Sequence, residues 1–291
     1  YMLTGSVTYR DLAKKNFDAI YARAYNQWGM MRWAEQSGGP NGTNSCINGP
    51  TEVAACYLAM GLGDESYYDI ARSLYDNQRR YLFNAQTGQV FDSFTWDAAT
   101  NTPGGYNRWV STYNQGTMLG AAVLLYNHYG DEQYRHDADA IVSCSRNDLC
   151  DANGIIKVCQ TVEGDLCGFK GVLMRYLRRY AVDFQKEDVV AWMQDNAMRA
   201  YCNMNSAGVT HSAWLTKSAE DWMYGDKSYS DQPFGCSTAV SAAFNAPLTT
   251  DFFTRDAFSD IRAVDFDYTR SLHATTATDG TACLTNTCSG Y

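Results

Sequence analysis

Two pairs of acidic residues are the side chains of this sequence that could carry chemistry. Asp92 and Asp97 form one pair, and Glu163 and Asp165 form the other. Two carboxyl groups that flank a glycosidic bond can hydrolyse it, one as an acid and the other as a nucleophile or base. The spacing alone does not select either pair, since Asp92 and Asp97 could cap a turn, and Glu163 and Asp165 could be acidic residues favoured by a helix N-terminus.

Aromatic and amide side chains surround both pairs. Rings stack on the apolar faces of sugars, and sugar hydroxyls bond to carboxylates and amides, so this mixture is typical of a carbohydrate-binding cleft. We therefore predict a substrate-binding set made of Asp92, Trp96, Tyr113, Asn114, Gln115, Asp165, Phe169, Lys170 and Trp214. A Ser/His/Asp triad has no support, because none of the four His residues has a nucleophile motif beside it.

Composition excludes several classes of partner. The chain has 291 residues and a net charge of -9, which argues against nucleic acid and against anionic membrane surfaces. It has 21 Tyr and 7 Trp, which fits either a sugar-binding cleft or a Tyr-rich helical core. No segment is long and apolar enough to span a membrane. We predict a polysaccharide partner, no cofactor and no metal, and leave the oligomeric state open.

The cysteines and one short motif indicate secretion. The 10 Cys residues include no CxxC pair, so disulfides in an oxidising compartment fit better than zinc sites. The close pairs are Cys144 with Cys150, Cys159 with Cys167, and Cys283 with Cys288. Asn41 begins an Asn-Gly-Thr sequon for N-glycosylation in a loop rich in Gly and Asn. Because no signal peptide is present, either it has been removed or the start of the natural protein is missing.

A Gly-x3-Tyr-x3-Ala spacing occurs three times and predicts helical hairpins. The copies begin at Gly5, Gly63 and Gly130, with Tyr9, Tyr67 and Tyr134 in the middle. In each copy Gly can end one helix in a left-handed conformation, and a polar residue can cap the next helix. The first copy has no helix in front of it. We expect the Tyr residues to pack rather than to bind.

Helices account for most of the chain. The periodicity predicts helices over 8–31, 51–60, 65–82, 115–129, 132–143, 168–180, 187–202, 237–245 and 251–264. Residues 36–50 read as a loop, and residues 84–110 as loop or short extended structure. Helices that are apolar all round alternate with striped ones, so we predict an all-α chain built as a barrel of buried inner and half-exposed outer helices. The barrel would cover 1–246, and 247–291 would be a C-terminal extension.

Two segments resemble a known family. Thr112-Tyr113-Asn114-Gln115-Gly116 and Phe169-Lys170-Gly171 are similar to motifs of glycoside hydrolase family 76, which comprises endo-α-1,6-mannanases and fungal wall proteins that graft mannoproteins onto glucan. Asn48-Gly49 and Val90-Phe91-Asp92 also resemble the family pattern. Cys159 and Cys167 resemble a disulfide of its fungal branch. The resemblance runs from about residue 3 to 246.

The resemblance implies an (α/α)6 barrel whose catalytic groups are two adjacent Asp residues on an inner helix of the second hairpin. No Asp-Asp pair occurs in this chain. Leu3-Thr4-Gly5-Ser6 resembles the turn directly downstream of that pair, so we expect the pair before Tyr1 and name no catalytic residue within the chain.

Three functions remain open. The leading one is a secreted α-1,6-mannan-cleaving or transglycosylating enzyme. The alternative is a non-catalytic carbohydrate-binding or structural surface protein of the same fold. The third is a different all-α sugar enzyme that uses Asp92 or Asp165.

Overall fold

A computed structural model describes residues 1, 4–34, 41–159, 165–206, 208–220 and 245–246. Its helices are α1 (Val7–Ala24), α2 (Ser45–Leu62), α3 (Ser66–Leu82), α4 (Thr112–Tyr129), α5 (Glu132–Asp148), α6 (Phe169–Asp183) and α7 (Glu187–Cys202). Its strands are β1 (Gly42–Asn44), β2 (Phe83–Asn84), β3 (Gln89–Asp97) and β4 (Thr102–Val110), and a 3₁₀-helix covers Asp165–Gly168. The helices predicted over 237–245 and 251–264, the extension 247–291, Glu163, Cys283 and Cys288 lie outside the description, apart from residues 245–246.

The helices form hairpins in which inner and outer helices alternate, as predicted. The pairs are α2 with α3, α4 with α5, and α6 with α7, and α4 packs between α2 and α6. Nearly all of α4 is buried, whereas the outer helices α3 and α5 bury one face. The chain is therefore mostly helical with the organisation of an α/α barrel, of which the described residues supply the three hairpins above.

The repeated glycine–tyrosine spacing marks the hairpin turns. Gly63 and Gly130 end α2 and α4 with φ of 67° and 69°, a left-handed conformation that favours glycine. Tyr67 and Tyr134 are only 4% and 3% exposed, so they pack as expected. Tyr9 on α1 is 61% exposed. The spacing thus specifies the turn, while burial of the tyrosine depends on its neighbours.

Close backbone contact joins α4 to α6. A methyl group built at Gly116 would lie 2.8 Å from Leu173 Cα, and one at Gly120 would lie 2.3 Å from the Tyr176 ring. At Gly116 any side chain larger than hydrogen would push the helices apart, because the close atoms are backbone, whereas at Gly120 it would displace the Tyr176 ring. The glycine of the Tyr-Asn-Gln-Gly motif therefore sets the distance between two inner helices.

The segment between α3 and α4 is a sheet, which corrects the expectation of a loop over 84–110. Strand β3 pairs antiparallel with β1, β2 and β4, with Thr43 opposite Phe94 and Trp96 opposite Pro103. The buried side chains of β3 lie an even number of residues apart, at Val90, Phe94 and Trp96. This alternation has the period of a strand, but it is short and interrupted, so the helix-based analysis passed over it.

The largest differences between the predicted and observed helix boundaries are in α1 and α2. Helix α1 ends at Ala24 rather than Met31, because the Asn26 side chain accepts hydrogen bonds from the backbone N–H groups of Trp28 (3.0 Å) and Met30 (3.1 Å) and turns the chain. Helix α2 begins at Ser45 rather than Thr51 and contains Pro50 in its interior.

The predicted close disulfides are absent from the described residues. Cys144, Cys150 and Cys159 are unbonded thiols, so neither the Cys144–Cys150 nor the Cys159–Cys167 bridge is formed. Cys144 lies against Asp148 and Cys150 against the Ser145 carbonyl, at 3.6 and 3.5 Å. The two thiols thus face different neighbours although they are close in sequence. Cys202, for which no partner was predicted, is disulfide-bonded.

A buried ion pair ties α3 to α5. The Asp137 carboxylate is 2% exposed and accepts hydrogen bonds from Arg79 Nε (2.6 Å), Arg79 Nη2 (3.1 Å) and the Tyr75 hydroxyl (3.0 Å). These three hydrogen bonds, two of them from a cation, compensate the burial of the charge.

The described residues contain neither a membrane-spanning candidate nor a metal site. None of their helices has both the length and the apolar composition needed to cross a membrane. Within the same residues, His, Cys, Asp and Glu form no group of three or more that could hold a metal ion.

Candidate functional site

The N-terminal turns of three inner helices meet at one end of the fold. Cys46 lies in the first turn of α2, Tyr113 in that of α4 and Phe169 in that of α6. The Tyr113 hydroxyl donates to the Cys46 carbonyl at 3.3 Å, and its ring centroid lies 5.1 Å from that of Phe169. Because helix N-termini carry partial positive charge, this meeting point favours acidic groups and sugar oxygens.

Pro50 explains why the Cys46 carbonyl can accept the Tyr113 hydroxyl. Residue 50 would normally donate its N–H to the carbonyl four residues earlier, but proline has no N–H. The Cys46 carbonyl is therefore left without its intrahelical donor, and Tyr113 supplies one from the neighbouring helix. The proline inside α2 thus creates a contact that fixes α4 against it.

Asp92 is the carboxylate of this site. It is half-buried on β3, and its oxygens accept hydrogen bonds from the amides of Asn107 (3.0 Å) and Asn114 (3.4 Å) and from the Ser93 hydroxyl (2.9 Å). We call Asp92, Asn107 and Asn114 the Asp92 cluster. The Ser45 hydroxyl donates to the Phe91 carbonyl at 2.6 Å, which holds β3 against the start of α2.

Asn114 also carries an unused acceptor. The side chain is 1% exposed, and its Oδ1 atom has no hydrogen-bond partner. A buried amide oxygen without a donor is destabilising unless a water or a ligand completes it. The Asp92 cluster is therefore incomplete in its hydrogen bonding.

Aromatic rings form a surface next to the Asp92 cluster. The Phe169 ring centroid lies 6.4 Å from that of Trp109 and 5.1 Å from that of Tyr113. Trp109 is 40% exposed, so this surface is open to solvent. We call Trp109, Phe169 and Tyr113 the aromatic platform. Rings of this kind present flat apolar faces against which a sugar can stack.

The groups around Asp92 are held in their protonated forms. Burial, with a smaller contribution from the Asp92 charge, raises the pKa of the Cys46 thiol to about 11. Burial, together with Cys46, raises the pKa of the Tyr113 hydroxyl to about 12. Neither group is a nucleophile at neutral pH, since each is almost entirely protonated there. The site presents aromatic rings and amide groups, and Asp92 is the carboxylate that its described contacts bring to it.

The structure brings together four of the predicted binding residues, namely Asp92, Tyr113, Asn114 and Phe169. It places the others elsewhere. Asp165 is exposed at the start of the 3₁₀-helix before α6. Asp97 belongs to the turn between β3 and β4, where its Oδ1 accepts the backbone N–H of Ala99 at 2.8 Å. The turn-capping interpretation of Asp97 is therefore correct.

Gln115 and Lys170, which we predicted to bind substrate, are both completely buried. The Gln115 amide accepts the Val90 N–H at 2.6 Å and donates to the Gly88 carbonyl at 2.9 Å, which fixes β3 to α4. The Lys170 amine donates to two backbone carbonyls inside the protein. Both polar groups are used in holding segments together, so neither is available to a ligand.

The two predicted binding tryptophans are also core residues. Trp214 is 0% exposed and lies beneath the Lys170 amine, which is 4.8 Å from its ring centroid. Trp96 is 5% exposed and stacks on Trp28 with a centroid distance of 4.9 Å. Each is enclosed by neighbouring side chains, and this removes both from the proposed site.

A family model supports the resemblance on which the sequence analysis relied. The model of glycosyl hydrolase family 76 matches residues 2–251, most of the chain. The chain belongs to this family.

The curated relatives of this family 76 chain are fungal. It is 26% identical over 208 residues to mannan endo-1,6-alpha-mannosidase DCW1 of Candida glabrata, covering 68% of this chain and 45% of the relative. It is 26% identical over 228 residues to the Candida albicans protein of the same name, covering 72% of this chain and 50% of the relative. The chain thus spans about half the length of the curated relatives it matches.

Solved structures show the same fold. The family 76 chain matches an α-1,6-mannanase of Salegentibacter sp. HEL1_6 with a TM-score of 0.72 and 25% identity, covering 85% of this chain and 72% of that one. An inactive variant of that enzyme, solved with α-1,6-mannotriose, matches with a TM-score of 0.71 and 26% identity, over 84% and 72% of the two chains. Dfg5 of Chaetomium thermophilum shares the fold at a TM-score of 0.66 and 18% identity, over 86% and 67%.

Two residues of the site were missed in the sequence. Asn107 and Trp109 lie on β4 of the family 76 chain, in the segment that we had read as a loop. Asn107 reaches Asp92 only because β4 pairs with β3, with Asn107 opposite Ser93. Tyr106, Trp109 and Val110 are residue types enriched in strands, and this composition is the signal that could have placed both residues on a strand.

Proposed function

We propose that this chain forms the glycan-binding part of an α-1,6-mannan-acting glycoside hydrolase. In this proposal mannosyl residues stack on the aromatic platform, while the Asp92 cluster binds their hydroxyls. The observation that carries the proposal is the juxtaposition of a solvent-open set of rings with a carboxylate and an amide that still has an unused acceptor. Family membership and the mannan-acting relatives support the choice of glycan.

Hydrolysis would require acids that the Asp92 cluster does not supply, since it offers one carboxylate and the reaction uses two. The inactive Salegentibacter variant has two neighbouring aspartates replaced by asparagine, and this sequence contains no adjacent pair of aspartates. The second candidate function is a protein of the same fold that binds mannan without cleaving it. The two differ in whether the natural full-length protein, tested beside this chain alone, releases reducing ends from linear α-1,6-mannan.

We also propose that the chain acts outside the cell, with Asn41 as a glycosylation site. The fungal relatives act on mannan by name, and Asn41 stands next to β1, half-buried, with its backbone carbonyl accepting the Trp96 N–H at 2.9 Å. Its sequon includes Thr43, which is completely buried in the folded chain. A glycan would therefore have to be attached before β1 pairs with β3. Mass analysis of the protein secreted by a fungal host, with and without an Asn41→Gln change, tests this.

Calorimetric titration with α-1,6-mannotriose tests the binding proposal. We expect Trp109→Ala to weaken binding about tenfold, or about 1.4 kcal/mol, because one ring of the platform is lost. Tyr106→Ala is the matched control, since Tyr106 lies on the same strand and is 39% exposed but contacts Phe94 instead of the platform. Maltotriose, an α-1,4-linked trisaccharide of glucose, serves as a control that differs in both sugar and linkage.

Asp92→Asn provides a second, independent test of the binding site, because it keeps the shape of the side chain while removing its charge. We expect it to weaken mannotriose binding with little change in unfolding free energy. If the wild-type chain does not bind α-1,6-mannotriose, or if Trp109→Ala and Tyr106→Ala behave alike, the site assignment is wrong.

A further inference from the structure

The Lys170 amine occupies an unusual position for a lysine. It is 0% exposed and donates to the backbone carbonyls of Ile156 (2.8 Å) and Ser212 (2.7 Å). These acceptors belong to two separate loops, and the lysine itself lies in the first turn of α6. One side chain thus joins three segments of the chain that are distant in sequence.

The surroundings of the amine are apolar or weakly polar. Its nitrogen lies 4.8 Å from the Trp214 ring centroid, and among the described residues the thiols of Cys150 and Cys159 act on its charge. His211 is the neighbouring residue of Ser212 and is buried too. Burial lowers the pKa of Lys170 to about 7, and the two thiols oppose this shift weakly. The amine therefore changes its charge near neutral pH.

The joined segments lead directly to the candidate site. Phe169, the central ring of the aromatic platform, precedes Lys170 in the same helical turn. Cys159, beside the amine, also receives the backbone N–H of Thr112, the first residue of α4. Tyr113 follows Thr112. The residues around the amine thus support the N-terminal turns of both helices that carry platform rings.

We propose that Lys170 is a positioning residue for glycan binding: by tying α6 to the Ile156 and Ser212 carbonyls, it fixes Phe169 in the aromatic platform. The amine does not touch the ligand. This inference rests on the proposed function for its ligand, but the placement of Phe169 can be measured without one.

The first test compares the affinity for α-1,6-mannotriose of the wild-type chain and of Lys170→Met at pH 6 and pH 8. Methionine fills similar volume but cannot donate a hydrogen bond. We expect Lys170→Met to bind about fivefold more weakly at pH 6. Charged donors form the stronger hydrogen bonds, so the wild-type affinity should fall between pH 6 and pH 8 by more than that of Lys170→Met.

Asp137→Ala is the stability control, since it removes a buried interaction between α3 and α5 without touching the platform. Its mannotriose affinity should match that of the wild type. Equal affinities for Lys170→Met and the wild type would overturn the proposal, and so would equal losses for Lys170→Met and Asp137→Ala.

A second measurement uses only the ligand-free wild-type chain. It therefore remains informative if Lys170→Met does not fold or if the wild-type chain does not bind mannotriose. With ¹³C-labelled Lys and Phe, the Lys170 Cε and Phe169 ring resonances of the ligand-free wild-type chain should shift together as the amine titrates. A Phe169 resonance that ignores the Lys170 titration would overturn the positioning role. Failure of the wild type to bind, with the two resonances coupled, would refute only the proposed function.

Discussion

Replacing Gly116 by alanine tests how closely α4 and α6 are packed. In most helices this change is stabilising, because alanine restricts the unfolded backbone and favours the helix by about 1 kcal/mol. Here the added methyl group would lie 2.8 Å from Leu173 Cα, 2.9 Å from Leu173 N and 3.0 Å from Val172 C. All three neighbours are backbone atoms, which cannot rotate away.

The expected change in unfolding free energy for Gly116→Ala follows from these two opposing effects. Overpacking a well-packed interior costs about 1–3 kcal/mol, and the rigid backbone contacts with Val172 and Leu173 place Gly116 at the upper end of that range. Subtracting the helix-propensity gain leaves a net destabilisation of about 2 kcal/mol. Tyr113 and Phe169 stand at the starts of the two helices that would separate, so mannotriose binding should weaken as well.

Urea unfolding followed by far-UV circular dichroism measures the change, with Gly61→Ala as the matched control. Gly61 also lies inside a helix, but a methyl group there would meet only the Tyr1 ring, at 3.4 Å. We expect Gly61→Ala to be neutral or stabilising by up to about 1 kcal/mol. If Gly116→Ala unfolds at the same or higher urea concentration than the wild type, the close contact between α4 and α6 does not exist and the reasoning fails.

Three further changes probe the buried polar groups. Asp137→Ala should lower the unfolding free energy by about 3 kcal/mol in urea titration, because Arg79 loses its buried partner; a change under 1 kcal/mol would contradict this. Gln115→Met should cost about 1–3 kcal/mol in the same assay, because the buried Val90 N–H loses its acceptor, and an unchanged midpoint would refute the role. Glu52 is completely buried with both carboxylate oxygens unpartnered, and burial followed by the nearby Asp76 charge raises its pKa well above the usual value. A carboxyl with a raised folded-state pKa destabilises the fold increasingly as pH rises above about 4.3, so the stability advantage of Glu52→Gln should grow between pH 4 and pH 7; a constant difference would refute it.

The hairpins could be predicted because their signals are local. An apolar stripe with helical period, a glycine that ends the helix and a capping side chain all lie within a few residues of one another, as at Gly130 and Asp131. The sheet could not be derived in this way. Strand β3 is defined by its pairing with β1, where Phe94 stands opposite Thr43. The residues close to Phe94 in sequence do not indicate that Thr43 is its partner.

The Asp92 cluster shows the same limit for the site. Asn107 and Asn114 reach Asp92 from 15 and 22 residues away, one through strand pairing and the other from the start of α4. Sequence reasoning singled out Asp92 and Asn114 from their residue types among aromatic side chains, and a family resemblance, which carries three-dimensional information that spacing alone lacks, then covered both. Asn107 lies in no family motif. Because residues 84–110 were predicted as a loop or short extended structure, its strand was missed.

Each of the two family motifs contains residues that face the cleft and residues that are buried in the interior. Helix geometry explains this arrangement. Successive residues of a helix point about 100° apart, so within one motif some side chains face the cleft and their neighbours face the core. Phe169 joins the platform while Lys170 turns inward, and Asn114 bonds to Asp92 while Gln115 turns inward. A polar residue in such a motif is therefore as apt to hold the cleft together as to touch the ligand. The apolar run that follows Gln115 in α4 was the available sign of this, because a helix buried on every side has no solvent-facing position for an amide.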